Sequence, residues 1–164
     1  KNMGIAARHI SISTCGIVDG IKKLIVETYQ VNLAISLHAP NDDMRNKIMP
    51  VNKSYNVETL LGVVADYLKE TNRKVMIEYL MIKDVNDSEA NAKELVKVLK
   101  KYLGKLFVVN LIPYNPTGKF EPSGGKSIGK FKFILESGGV EAVQRFSFGQ
   151  KIEGACGQLG KVVR

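Results

Sequence analysis

Short apolar runs alternate with amphipathic stretches along this chain, and that alternation restricts the fold more than any other feature. "RHISIST" (Arg8 to Thr14), "VNLAISLHA" (Val31 to Ala39), "KVMIEYLMI" (Lys74 to Ile82) and "LFVVNLIPY" (Leu106 to Tyr114) read as strands. The first alternates β-branched Ile with Ser; the others are nearly continuous in apolar character. Runs of the second kind are what strands buried on both faces of a parallel sheet show. Between them, Val57, Leu60, Leu61, Val64, Tyr67 and Leu68 form one face of a helix from about Val57 to Glu70. Ala92, Leu95, Val96, Leu99 and Leu103 repeat the pattern, with Asp87 or Ser88 as N-cap and Gly104 just past the end. Shorter helices are expected after Gly16 and after Asn41, and another over Ser127 to Ser137, stopped by Gly138-Gly139. "VEAVQRFSF" (Val140 to Phe148) reads as a last strand.

Strand, helix, strand, helix in succession means βαβ units and a parallel sheet. The expected class is therefore α/β, with about four parallel strands plus a C-terminal extension. All 164 residues are expected to form one domain. The connection from Pro40 to Lys74 is longer than one helix needs, and its "PVNKSYN" segment reads as a surface excursion. "YNPTGKFEPSGGKS" (Tyr114 to Ser127) is the one long turn-rich loop.

Composition narrows the function classes. No apolar run approaches the roughly 18 residues that a spanning helix needs, so no membrane partner is expected. Two Cys, Cys15 and Cys156, are too few for a disulfide scaffold and too far apart for a zinc or iron–sulfur motif. A reducing, cytoplasmic setting is the simple expectation. A net charge of +8 suits polyanionic partners, though a soluble basic protein without nucleic acid has the same balance.

In parallel α/β folds ligands sit at the carboxyl ends of the strands. The first run ends in Ser13-Thr14-Cys15-Gly16, the second in Ser36-Leu37-His38, and the fourth in Pro113-Tyr114-Asn115; the third carries Glu78 in an apolar setting. Hydroxyls, an imidazole, a carboxylate and an amide on one rim suit a small polar ligand with amine, carboxylate and ribose groups. Each residue also has a plain structural reading. Ser13 and Thr14 would cap the following helix, His38 would be an interior histidine, Glu78 would pair with a buried Arg, and Asn115 before Pro116 would be turn chemistry.

The segments "ARHISISTCGIV", "LAISLHAPNDDMRNKIMPVNKSYN", "IEYLMIKDVND", "VNLIPYNP" and "GACGQL" run in order along nearly the whole chain. Together they resemble the second half of the radical S-adenosylmethionine (SAM) adenine methyltransferases. These modify carbon 2 of adenine in ribosomal and transfer RNA, or carbon 8 in antibiotic-resistance relatives. The resemblance implies a partial (β/α) radical SAM barrel, open on one side to RNA. It implies that SAM is held at Ser13, at Ser36, Leu37 and His38, and at Asn115. It implies that Cys156 accepts a methyl group from one SAM, and that a 4Fe–4S cluster cleaves a second SAM to make the radical that activates that methyl. Implied partners are 23S rRNA, tRNA and an electron donor such as flavodoxin. A mobile loop bounded by Gly154 and Gly157 suits a thiolate that must travel between donor and base.

The family's CxxxCxxC cluster motif, its "GEP" segment and its resolving Cys have no counterpart here. Two distant Cys cannot hold a cluster. The chain is thus expected to be the C-terminal portion of such an enzyme and inactive alone, and Cys15 receives no role. Phe148 and Lys151 depart from the carbon-2 pattern, so carbon 2 and carbon 8 both stay open. Lys119, Lys126, Lys130, Lys132 and Arg145 are candidate phosphate contacts, with a solvated face as the plain reading. A non-catalytic RNA-binding half-barrel is one competing reading, and a generic Schiff-base barrel enzyme, with Lys74 and Lys83 as its lysines, is another. An open sheet edge before Arg8 is expected to promote self-association. Light scattering at high concentration should show species larger than a monomer; a monodisperse monomer would contradict this.

Overall fold

The computed structural model describes residues 4–27, 29–116 and 118–145. The elements run β1 (Ser11–Thr14), α1 (Val18–Val26), β2 (Asn32–Ser36), α2 (Asp42–Ile48), α3 (Val57–Thr71), β3 (Val75–Met81), α4 (Glu89–Leu103), β4 (Phe107–Pro113), α5 (Gly125–Ser137) and β5 (Ala142–Gln144). One sheet takes all five strands in the order β1-β2-β3-β4-β5, every neighbouring pair parallel. Sequential order with right-handed crossovers puts all the helices on one face. The helix contacts agree: α1 packs on α3, α3 on α4, and α4 on α5. This is the α/β arrangement of part of a barrel wall.

The two faces of the sheet differ in kind. Leu33, Ile35, Val75, Ile77, Tyr79, Met81, Phe107, Val109, Leu111 and Ala142 face the helices and belong to the core cluster. The alternate residues Met76, Leu80, Val108 and Ile112 are only half-buried and stand outside that cluster. The expectation of strands buried on both faces is therefore corrected, because the helices cover one side only. The strand expected from Arg8 begins at Ser11, after a 3-10 turn over Ala7–His9. β1 is the edge strand, with Ile10, Ile12 and Ile17 exposed.

Local signals explain the helix ends. Asn41 caps α2 by accepting from the Met44 N–H, and Asn56 caps α3 through the Thr59 N–H. Of the two expected caps for α4, Ser88 is the one used. It forms a reciprocal capping box with Asn91. Gly104 ends α4 at φ +64°, a value few side chains tolerate. Every residue of the expected α3 face is buried. The last strand is shorter than expected, and residues 146–148 of that run lie outside the described set.

The "PVNKSYN" segment lies largely at the surface, with Pro50, Lys53, Ser54 and Asn56 exposed, but it also has a structural task. It forms a 3-10 turn over Pro50–Lys53 whose Asn52 is buried, and it closes around Arg45, which has no exposed surface. Arg45 Nη2 donates to the carbonyls of Cys15 (2.7 Å) and Ser36 (3.3 Å), and Nε to that of Leu37 (3.1 Å). Nη1 donates to Asn52 Oδ1 (2.9 Å) and the Tyr55 carbonyl (3.3 Å). One guanidinium therefore ties the carboxyl ends of β1 and β2 to the α2–α3 connection. Gly16 leaves room for it: at φ +103°, a Cβ there would meet Leu60 Cδ2 at 3.0 Å and Arg45 Nη2 at 3.2 Å. Replacing Arg45 by Met strands several buried acceptors, each costing on the order of 1–3 kcal/mol. Urea unfolding of the Arg45→Met chain should show a loss of about 3 kcal/mol or more.

Candidate functional site

The site is built at the carboxyl ends of β1, β2, β3 and β4, on the face the helices leave open. Ser13 is an exposed residue near the end of β1, level with Ala34 of β2. Neither Ser13 nor Thr14 caps α1, whose N-cap is Ile17 with no side-chain bond; Thr14 Oγ1 instead fixes the preceding turn by accepting from the Gly16 and Ile17 N–H groups at 3.2 Å each. Ser36, half-buried, ends β2. Leu37 is fully buried in the core, its N–H bonded to the Glu78 carbonyl and its own carbonyl to Arg45. It can meet a ligand only through neighbouring backbone.

His38 holds a left-handed backbone at φ +61°, unusual for a residue with a side chain. Its N–H donates to the Glu78 carbonyl, and its carbonyl accepts from Asn86 Nδ2 at 2.8 Å. The ring Nδ1 accepts from the Leu80 N–H at 3.1 Å, which leaves the proton of the neutral imidazole on Nε2. Burial is the main cause that pulls the His38 pKa down to about 4; the hydrogen bond to the Glu78 backbone opposes it, and the charge of Arg45 lowers it further. His38 thus offers a neutral Nε2–H donor at ordinary pH.

Sequence reasoning missed Asn86, which seats this histidine. Asn86 is fully buried; its Oδ1 accepts from the Ile82 N–H (2.8 Å), and its Nδ2 also donates to the Leu80 carbonyl (2.6 Å). Tyr79 Oη donates to its carbonyl at 2.8 Å. The one signal was its place in the "KDVND" turn directly after a buried strand.

Glu78 is buried, and its partner is not an Arg. Asn110 Nδ2 donates to Glu78 Oε2 at 2.8 Å. Burial raises the Glu78 pKa; Asn110 and the charge of Arg145 act against it. Asn115 is buried beyond the end of β4, beside Tyr114. Cys156, Gly154, Gly157, Phe148 and Lys151 lie outside the described residues.

The candidate lysines are less suggestive. Lys130 lies 3.8 Å from Glu89 and Lys132 lies 3.6 Å from Glu136. Lys74 stands just before β3, at the end of the sheet opposite the site, paired with Glu141 at 2.6 Å. That removes it as a site lysine. Among the described residues no group of three or more His, Cys, Asp or Glu could hold a metal ion. The two Cys of the sequence cannot ligate an iron–sulfur cluster between them, so this chain does not supply one. The polar rim does fit a nucleoside-bearing ligand such as SAM. Among the described residues no helix is long and apolar enough to cross a membrane.

No protein-family model matches the chain. Curated proteins match strongly. The chain is 47% identical over 161 residues to a protein of Alkaliphilus metalliredigens and 48% identical over 162 residues to one of Malacoplasma penetrans. Both are named "Probable dual-specificity RNA methyltransferase RlmN". Each alignment takes 97% of this chain but only 45% and 44% of the relative, so the chain spans just under half the length of the curated relatives it matches. Among solved structures, a radical SAM methyltransferase from Sphaerobacter thermophilus superposes with a TM-score of 0.91 at 44% identity, over 96% of this chain and 46% of that one. A domain of a pyruvate-formate lyase-activating enzyme from Bacteroides vulgatus shares the fold alone, with a TM-score of 0.66 at 17% identity.

The fold is that of part of a radical SAM barrel wall. By sequence and by structure the chain is similar to a radical SAM methyltransferase and to the proteins named RlmN, over just under half of their length.

A titration tests the rim. NMR of the His38 ring should show a midpoint near 4, well below the ordinary 6.5. The unfolded chain then binds the proton more readily, so this group's stabilisation is complete above about 6.5 and is lost as pH falls from there toward 4. A His38 midpoint near 6.5 would refute its buried, neutral seat.

Proposed function

We propose that this chain is the SAM-binding and methyl-accepting portion of an RNA methyltransferase acting on carbon 2 of adenine in 23S rRNA and tRNA. The observation that carries this is the rim itself. Ser13 near the end of β1, Ser36 and His38 at the end of β2, and Asn115 just after β4 all belong to strand ends of one parallel sheet, and the similarity of the fold to a radical SAM methyltransferase at a TM-score of 0.91 supports reading them as one rim.

In this reading Ser13 and Ser36 offer hydroxyls to the bound SAM, the His38 Nε2–H donates, and Asn115 offers its amide. The Cys156 thiolate attacks the sulfonium methyl; a carbon–sulfur bond forms to Cys156, and the electron pair of the broken bond stays on the departing thioether, S-adenosylhomocysteine. The methylated Cys156 is then the carbon source for the base. A 4Fe–4S cluster, whose ligands this chain lacks, would supply the radical chemistry when bound in a longer polypeptide, reduced by a donor such as flavodoxin. The chain alone is therefore inactive. Its place is the cytoplasm, where the RNA substrates are. The relatives' names, which give a dual-specificity RNA methyltransferase, support the RNA substrate class.

The test is the full-length enzyme that contains this sequence. Purified after expression under active conditions, it should carry one additional methyl on Cys156 by peptide mass spectrometry. The Cys156→Ala protein should lose at least 1,000-fold in adenine methylation, about 4 kcal/mol in barrier. Normal methylation by Cys156→Ala would overturn the reading, and the position of the methyl in the product RNA would decide between carbon 2 and carbon 8.

A further inference from the structure

Ser36, Glu78 and Asn110 are Cα partners across β2, β3 and β4, forming one row across the open face. The rows on either side are different. Met76 and Leu80 flank Glu78 on the same face, and Val108 and Ile112 flank Asn110. Packing on this face is thus served by apolar residues, and the polar row interrupts it.

The Asn110–Glu78 bond orients both groups. Asn110 spends an N–H on Glu78 Oε2 at 2.8 Å, leaving its own Oδ1 and Glu78 Oε1 as acceptors. Among the described residues nothing donates to either, and Ser36 Oγ has no partner. Neither acceptor is sealed from solvent, since the one buried unpartnered side-chain atom among the described residues is Ser123 Oγ. Glu78, only 7% exposed and with one protein donor, therefore keeps an acceptor open on this face that water or a ligand can fill. Two adjacent acceptors beside a hydroxyl match a group rich in donors: the hydroxyls of a ribose or the exocyclic amine of a purine.

We propose that Ser36, Glu78 and Asn110 form a floor that recognises an adenosine group, with Glu78 Oε1 accepting a hydrogen bond from it. This rests on the function proposed above, in which adenosine occurs both in SAM and in the RNA target. Glu78 is a binding residue here, and Asn110 positions it. A Gln at 78 that keeps the Asn110 bond turns an NH2 toward the ligand, setting donor against donor.

The experiment uses the full-length, cluster-reconstituted enzyme as wild type, Glu78→Gln and Asn110→Ala. It measures the Kd of S-adenosylhomocysteine, the KM for RNA, and the melting temperature as a folding control. A rise of tenfold or more in Kd with unchanged RNA KM assigns the floor to the adenosine of SAM. The same rise in RNA KM with unchanged Kd assigns it to the target adenosine. Asn110→Ala should weaken the same ligand at least threefold, which keeps the test valid if Glu78→Gln fails to fold. A wild type that binds both probes, with folded variants within twofold of it on both, overturns the floor alone. A wild type that binds neither overturns the proposed function and the floor with it.

Discussion

The site depends first on the buried guanidinium of Arg45. Parallel strands end in unpaired carbonyls, and in a ligand-binding mouth those ends must also be held at fixed height. Arg45 does both, collecting the carbonyls of Cys15, Ser36 and Leu37 from one side and the α2–α3 connection from the other. A charge with no exposed surface is expensive to bury, and here carbonyl dipoles and Asn52 compensate it, with no direct carboxylate contact among the described residues. Asn52 is fixed in turn by Asp42 and Asn46, and Asp42 also accepts from the Val57 N–H at the start of α3. The polar "NDDMRNKIMPVNKSYN" stretch is therefore a surface segment that braces the ends of β1 and β2 through its two buried residues, Arg45 and Asn52.

A second constraint is the one-sided helix layer. Sequential parallel strands place α1, α3, α4 and α5 on one face, and the core fills the space between. The other face is left open, and its residues are graded along the strands. Val108 and Met76 are apolar, the next row holds Ser36, Glu78 and Asn110, and His38 sits above it, seated by Leu80 and Asn86. A fold built this way separates what stabilises it from what it binds.

Much of this was legible in the sequence. Helical periodicity found α3 and α4, the latter with its Ser88 cap, because a 3.6-residue apolar stripe and a terminal Ser have local causes. The position of Ser13 and Ser36 at strand ends was legible because the apolar runs stop there. What was not legible is non-local. Nothing local marks Arg45 as buried, since its acceptors lie up to 30 positions away. The Glu78–Asn110 pair joins residues 32 apart and appears only once β3 and β4 are in register. Asn86 reads as a turn residue until its 48-residue reach to His38 is seen. The strand runs suggested burial on both faces because apolar content alone cannot tell a covered face from an open one.

The most direct measurement is a crystal structure of the full-length enzyme with SAM bound. The account predicts the ligand at the carboxyl ends of the strands on the face opposite the helices, within hydrogen-bond distance of Ser36, His38 and Asn115. SAM bound among the helices, or at the amino ends of the strands, would contradict it.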